Sequence, residues 1–268
     1  MSDLVMISEP IPGVRQVTLR RPEAMNTLNT ELVVALHDAL DRIAVDRSAR
    51  VVVLTGAGSA FCAGLDLNGY GDTERDADHG AVLGTLARQR EISALPERIN
   101  RLPQPVIAAI NGPIAGGGLA IACASDIRLS VPGAPWAVGF IRAGFSACDI
   151  GLSWLLPRIV GTGNAHELML TGRRFDSEEA LRIGLVTSLH EPDELLPAAL
   201  AKAEQIMLNP PASVELTKQG MWLNVETPSL RAGIELENRQ QVITSLTEDR
   251  PEAARAFLEK RAPSYLHR

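Results

Sequence analysis

Apolar and polar positions in the first half of the chain predict strands and helices in turn. Residues 14–19 alternate as a half-buried strand does, whereas residues 51–54 form a short, continuous apolar run typical of a buried parallel strand. Between them, Thr30 begins a predicted helix. Its apolar residues fall on one face: Leu32, Val33, Leu36, Leu40 and Ile43. The alternation of these elements indicates an α/β fold.

Helical spacing continues through the rest of the chain. A helix over residues 82–100, broken by Pro96, precedes a buried strand at residues 105–110. From residue 152 onward helices dominate, with one strand-like run at residues 186–190. The predicted helices of the tail cover residues 193–208, 212–223, 230–246 and 251–261. We therefore divide the chain into a core, residues 1–195, and a helical region, residues 196–268, which we expect to mediate oligomerisation.

Two of the buried strands end in glycine-rich segments, residues 56–64 and 112–118. In parallel α/β sheets such segments lie at the carboxyl ends of strands, where ligands bind. The second contains three consecutive glycines, Gly116 to Gly118, directly before a helical run. Glycines expose bare backbone, and the start of a helix presents unpaired N–H groups with a partial positive charge. This pattern predicts a site that stabilises an anion.

Composition and charge restrict the possible partners. A net charge of -6 argues against nucleic acid as the main partner, because phosphate binding needs a dense basic face. The five histidines have no metal-ligand spacing, so no metal site is expected. The three cysteines are expected to be reduced, with Cys148 a buried, inert thiol. With no secretory signal and no apolar run long enough for a membrane span, we expect a cytoplasmic protein.

The order of several short motifs resembles the crotonase (enoyl-CoA hydratase/isomerase) superfamily over nearly the full length of the chain. The matching stretches are residues 20–29, 51–56, 60–67, 105–118, 125–128, 156–161 and 256–261. The resemblance implies a spiral of β-β-α units with a helical C-terminal trimerisation region, assembled as a homotrimer or as a homohexamer of two trimers. It also implies an acyl-CoA substrate, in which coenzyme A is part of the substrate, so no separate cofactor is expected.

The same resemblance assigns roles to individual residues. The amides of Leu65 and Gly117 would donate to the thioester oxygen and stabilise an enolate. Positions matching substrate-binding segments are Glu23, Ala24, Met25, Ala63, Asp66, Leu67, Gly116 and Phe140, with Phe257 and Lys260 reaching coenzyme A in an adjacent subunit. Because Glu23 and Asn68 stand where related enzymes often carry lysine, we expect Arg21 or Lys260 to contact the phosphates. The segment of residues 69–89 is expected to line the acyl pocket.

The catalytic positions depart from the hydratase pattern. Ala120 and, by our alignment, Phe140 stand where hydratases carry two glutamates, and neither side chain can transfer a proton. Asp149 matches an aspartate of isomerase-type members and could shuttle one proton between two carbons, or it could cap the following helix. We therefore favour double-bond isomerisation. The alternatives are hydration by non-standard catalysis, thioester hydrolysis, carbon–carbon cleavage, and acyl-CoA binding without catalysis.

Overall fold

The computed structural model describes residues 3–67 and 80–266. The strands within these residues are β1 (Val5–Ser8), β2 (Val14–Leu19), β3 (Val51–Gly56), β4 (Val106–Ile110), β5 (Ile114–Ala115), β6 (Ile127–Ser130), β7 (Pro135–Ala137), β8 (Arg174–Asp176) and β9 (Ser188–Leu189). The helices are α1 (Thr30–Ala44), α2 (Gly80–Arg101), α3 (Gly116–Ala124), α4 (Leu152–Val160), α5 (Thr162–Thr171), α6 (Ser177–Arg182), α7 (Leu195–Met207), α8 (Pro211–Glu226), α9 (Leu230–Ser245) and α10 (Asp249–Glu259).

The described strands form two sheets. The larger has the order β1-β2-β3-β4-β6-β9, in which β1 pairs antiparallel with β2 and every other pair is parallel. The smaller has the order β5-β7-β8. The prediction of an α/β fold is confirmed. The parallel pairing of β3 with β4 places both glycine-rich segments at the same edge of the larger sheet.

Local sequence explains the elements that were predicted well. The Asn29 side chain caps α1 by accepting a hydrogen bond from the Leu32 amide at 3.0 Å. All five residues of its predicted apolar face are buried against the sheet. Strand β3 is buried along its whole length, as its continuous apolar run indicates.

Two features of the helices differ from the sequence prediction. Pro96 does not break the second helix, because α2 runs through it to Arg101 with the proline ring buried. The three glycines are not a loop before α3 but its first three residues, following an extended Ala115. Their N–H groups are therefore those of a first helical turn, which lack intrahelical acceptors.

The boundary that we predicted at residues 195 and 196 falls at the start of α7. This helix packs on β3, β4 and β6 of the larger sheet and buries Leu195, Ala199 and Ala203. Helix α8 is tied to the core as well, because the buried Lys218 ammonium lies 2.9 Å from the Asp126 carboxylate. The division into a core and an oligomerisation region stays a prediction. Among the described helices, none is long and apolar enough to cross a membrane.

Candidate active site

The two glycine-rich segments interlock at the edge of the larger sheet. The Ala115 amide donates to the Cys62 carbonyl at 3.0 Å, and Cys62 forms a parallel bridge with Ile114. A Cβ placed on Gly112 would overlap the Ser59 carbonyl oxygen, and one on Gly118 would overlap the Cys62 carbonyl oxygen. These two glycines are therefore required by close approach of one backbone to the other.

Leu65 is placed beside the start of α3 by the same packing. Leu28 forms a parallel bridge with Leu65, donating its amide to the Gly64 carbonyl at 2.7 Å and accepting the Asp66 amide at 3.0 Å. Within the described residues, no acceptor takes the Leu65 amide itself. A Cβ placed on Gly64 would lie 3.2 Å from the Ala115 carbonyl oxygen, so the backbones of the two segments are in contact.

Gly117 completes this backbone site. It is the second residue of α3, so its amide has no intrahelical acceptor. The Leu28 and Ile150 side chains close over its Cα, and Phe140 lies against the neighbouring Gly116. The structure thus brings together Leu65, Gly116, Gly117 and Phe140, as the sequence predicted. Two free amides next to a helix start, walled by apolar side chains, are suited to hold a negatively charged oxygen.

The residues expected to bind coenzyme A form one rim beside this site. Glu23 and Ala24 lie in a single 3-10 turn that ends at Met25, whose carbonyl accepts the Ala63 amide at 3.0 Å. Leu67 is exposed at the end of the other segment. Asn68 and residues 69–79, part of the expected acyl-pocket segment, lie outside the described residues. The rim positions are brought together by local hydrogen bonds that the sequence motif did not reveal.

Arg21 stabilises this rim through an ion pair and a hydrogen bond within the chain. Its Nη1 lies 2.6 Å from Asp66 Oδ2 and donates to the Thr27 carbonyl at 3.1 Å. The Asp66 side chain is only 11% exposed. Arg21 is therefore engaged by internal partners, so we no longer expect it to contact the phosphates. Asp66 likewise acts through this ion pair on the shape of the loop.

The C-terminal residues do not reach the site within one chain. Phe257 is 83% exposed on α10, and Lys260 ends that helix in the left-handed conformation. Neither side chain forms a hydrogen bond or ion pair with another described residue. Their contact with coenzyme A in an adjacent subunit stays a prediction.

The catalytic positions carry no carboxylate where hydratases have one. Ala120 is fully buried in α3, and Phe140 is buried with its ring against Gly116. Asp149 directly precedes Ile150, whose side chain packs over Gly117. Its Oδ1 accepts the Ile150 amide at 2.8 Å and the Gln89 side-chain amide at 2.5 Å. The sequence missed Gln89, because the two residues are sixty positions apart and no local pattern joins them.

Asp149 does not cap the following helix with its side chain. The N-cap of α4 is Gly151, which has no side-chain bond, and only the backbone carbonyl of Asp149 accepts the Leu152 amide. The helix-cap interpretation is therefore wrong. Ile150 itself has a φ of 48°, which is unusual for a β-branched residue and is held here by its neighbours. The loop that contains Asp149 and Ile150 therefore has an unfavourable backbone conformation at Ile150, which its surroundings stabilise.

The cysteines are distributed differently from the prediction. Cys62 and Cys123 are buried, and burial raises the pKa of each thiol to about 12. Cys148 is exposed, so the prediction of a buried thiol there is wrong. Ala147 takes the buried position before Asp149, and the Cys148 side chain points outward, with its amide bonded to the Ser146 hydroxyl at 3.1 Å.

A cavity of about 660 Å³ is lined by residues of α2, α4 and α8 and by Ile150. Its lining includes Trp154 and Trp222, whose rings stack with centroids 6.4 Å apart. Ile150 therefore contacts both this cavity and Gly117. Among the described residues, no group of three or more His, Cys, Asp or Glu side chains is arranged to hold a metal ion.

Fold and site together define a class of α/β protein in which backbone amides of two glycine-rich segments lie side by side at the carboxyl edge of a parallel sheet. The chain belongs to the enoyl-CoA hydratase/isomerase (crotonase) family, whose model matches residues 11–268. It is 39% identical over 263 residues to the probable enoyl-CoA hydratase EchA12 of Mycobacterium tuberculosis, covering 98% of this chain and 92% of that protein.

Solved structures agree with this assignment. The fold superposes with a TM-score of 0.93 on a probable enoyl-CoA hydratase/isomerase from Mycobacterium abscessus, at 34% identity and over the full length of both chains. A monofunctional enoyl-CoA isomerase from M. smegmatis is 36% identical, with a TM-score of 0.73, 87% of this chain and 99% of that chain being covered. The crotonase fold is therefore confirmed.

Proposed function

We propose that this enzyme isomerises the double bond of an enoyl-CoA thioester through an enolate, with Asp149 as the proton carrier. The observation that supports this best is the set of groups around the glycines within the described residues: two free amides for the oxygen, apolar residues at both positions matched to the hydratase glutamates, and the Asp149 carboxylate beside Ile150. Such a site can hold an enolate, but Ala120 and Phe140 cannot perform the two-glutamate addition of water.

In the proposed reaction the thioester oxygen accepts hydrogen bonds from the Leu65 and Gly117 amides. Asp149 takes a proton from C2 of a 3-enoyl-CoA, and the electron pair of that C–H bond moves into the enolate. The same carboxyl group then returns the proton to C4, which leaves the double bond between C2 and C3. Atoms and charge balance without water, metal or redox cofactor.

We propose that coenzyme A binds along the rim of Glu23, Ala24, Met25, Ala63 and Leu67. Arg21 and Asp66 shape this rim from inside through their ion pair. With Arg21 occupied, Lys260 of an adjacent subunit is the remaining proposed phosphate contact, with Phe257 packing nearby.

The assembly that this contact needs is a homotrimer or a homohexamer. Its support is the apolar surface of the C-terminal helices, on which Leu230, Leu246 and Phe257 are each at least 80% exposed. Apolar patches of this kind on a folded chain mark interaction surfaces, and we propose that further copies of this chain cover them. Sedimentation analysis of the purified protein tests this, and a monomer at micromolar concentration would contradict it.

The test of the reaction compares wild type with Asp149→Asn on a short 3-enoyl-CoA, with the products separated by chromatography. Asp193→Asn is the matched control, because Asp193 is exposed and forms no hydrogen bond or ion pair with another described residue. We expect wild type and control to form 2-enoyl-CoA and Asp149→Asn to lose about 10²–10⁴ in kcat. Equal turnover by Asp149→Asn would overturn the mechanism.

The same assay separates the alternatives. Formation of a 3-hydroxyacyl-CoA from 2-enoyl-CoA would indicate hydration, the activity in the name of the M. tuberculosis relative. Release of free coenzyme A would indicate hydrolysis, and a shortened acyl-CoA would indicate carbon–carbon cleavage. Binding of acyl-CoA without any product would indicate a catalytically silent protein.

A further inference from the structure

Asp149 is held by groups from two separate elements. The Gln89 side chain, on α2, donates its Nε2 to Asp149 Oδ1 at 2.5 Å. The Ile150 amide donates to the same oxygen at 2.8 Å. Asp149 Oδ2 has no hydrogen-bond partner within the described part of the chain. The two carboxylate oxygens are therefore inequivalent, one fixed and one free.

The position of Gln89 is set by the packing of its helix. Within the next two turns of α2, Ile92 and Leu95 are buried and fix the helix against the core, while Gln89 itself is exposed. An exposed glutamine side chain has many rotamers, so holding it in one orientation costs conformational entropy. A bond to a charged oxygen offsets this cost better than a bond to a neutral one.

Ile150 contacts both the Asp149 carboxylate and Gly117. Its backbone is left-handed, with a φ of 48°, and its Cδ1 would lie 3.4 Å from a Cβ on Gly117. The residue that donates to Asp149 Oδ1 is thus the residue that packs on the proposed oxyanion donor. Any rotation of the carboxyl group would break one or both of the bonds to Oδ1.

We propose that Gln89 is a positioning residue for Asp149. Its amide and the Ile150 backbone together fix Oδ1, which leaves Oδ2 as the oxygen that carries the proton. This inference rests on the proposed function for its consequence in catalysis, but the hydrogen bond itself can be tested without any substrate.

The test uses two opposite substitutions, Gln89→Leu and Gln89→Lys, in the full-length protein. Leucine removes the donor, whereas lysine replaces it with a charged one, and both suit an exposed helical position. Gln205→Leu is the matched control, because Gln205 is also an exposed helical glutamine, and within the described residues its side chain bonds only to Lys202 of the same helix. Circular dichroism and thermal melting establish that all variants are folded.

The first measurement is the ¹³C chemical shift of the Asp149 carboxyl carbon at neutral pH, with the signal assigned by its loss in Asp149→Asn. Asp149 forms no ion pair with any described residue, so the Gln89 donor is the side-chain contact being changed. We expect this signal to shift in both Gln89 variants, because each changes the donor to Oδ1, and to stay in place in Gln205→Leu. A signal that shifts in neither Gln89 variant overturns the inference, whether or not the protein is an isomerase.

The second measurement is kcat and KM on a 3-enoyl-CoA for wild type, both Gln89 variants and Gln205→Leu. Gln89→Leu should lose roughly tenfold in kcat with KM nearly unchanged, since orientation and not binding is impaired, and Gln205→Leu should match wild type. Wild-type turnover that depends on Asp149 but not on Gln89 overturns this inference alone. Absence of any isomerase activity overturns the proposed function instead.

Discussion

Replacing Gly117 with alanine adds one methyl group where the proposed oxyanion donor meets its apolar walls. The new Cβ would lie 2.7 Å from Leu28 Cδ1 and 3.4 Å from Ile150 Cδ1. Leu28 is fully buried and its backbone is bridged to Leu65, so its side chain has little room to retreat. The methyl group must therefore displace Leu28, the first turn of α3, or both.

The expected magnitude follows from these two contacts. Adding a methyl group to a packed core costs about 1–3 kcal/mol of unfolding free energy. For a chain of this size that lowers Tm by roughly 2–10 °C. A shift of the Gly117 amide also misaligns one of the two proposed oxyanion donors, and loss of one such donor costs about 10²–10³ in kcat. Catalysis should therefore suffer far more than folding.

Gly163→Ala is the matched control. Gly163 lies in α5, and a Cβ at this position meets nothing within 4 Å. Alanine there should leave kcat unchanged and raise stability slightly, because it restricts the unfolded chain. The assay is 3-enoyl-CoA isomerisation alongside thermal unfolding of both variants. If Gly117→Ala keeps kcat within about threefold of wild type, the assignment of Gly117 as an oxyanion donor is wrong.

Two further predictions concern groups outside the site. Iodoacetamide at pH 8 should modify Cys148 and spare Cys62 and Cys123 in the native protein. The reason is that Cys148 is exposed, whereas burial raises the pKa of the other two thiols to about 12. Mass spectrometry of native and denatured samples checks this, and early modification of Cys62 would contradict it. Lys218→Met should lower the unfolding free energy by about 3–5 kcal/mol, because it leaves the Asp126 carboxylate, only 10% exposed, without its cation at 2.9 Å. Urea unfolding measures this, and a loss below about 1 kcal/mol would show that the hydrogen bonds from the Val106 amide and the Trp222 ring suffice to hold Asp126.

Much of the fold could be predicted because its signals are local. The periodic apolar face of α1 and the continuous apolar run of β3 each indicate one element from neighbouring residues. The interruption expected at Pro96 was wrong, because buried packing of α2 outweighs the loss of one backbone hydrogen bond. Short strands such as β7 and β8 carry too few residues for a period to be read.

The candidate site, like the fold, has one part that the sequence could predict and another that it could not. The segments that contain Leu65 and Gly117 could be predicted to lie side by side, because both follow neighbouring parallel strands and the family motifs mark them. The hydrogen bond from Gln89 to Asp149 and the left-handed Ile150 could not, because each depends on packing between segments far apart in sequence. The exposure of the Cys148 side chain could not be predicted for the same reason.

The central claim is that one carboxyl group moves one proton between two carbons of the same substrate. A 3-enoyl-CoA deuterated at C2 tests it most directly, with the 2-enoyl product analysed by mass spectrometry and NMR. A shuttle by Asp149 predicts that the hydrogen added at C4 of the wild-type product is deuterium from C2, well above the amount formed by Asp149→Asn. Product whose added C4 hydrogen comes only from solvent would contradict this shuttle.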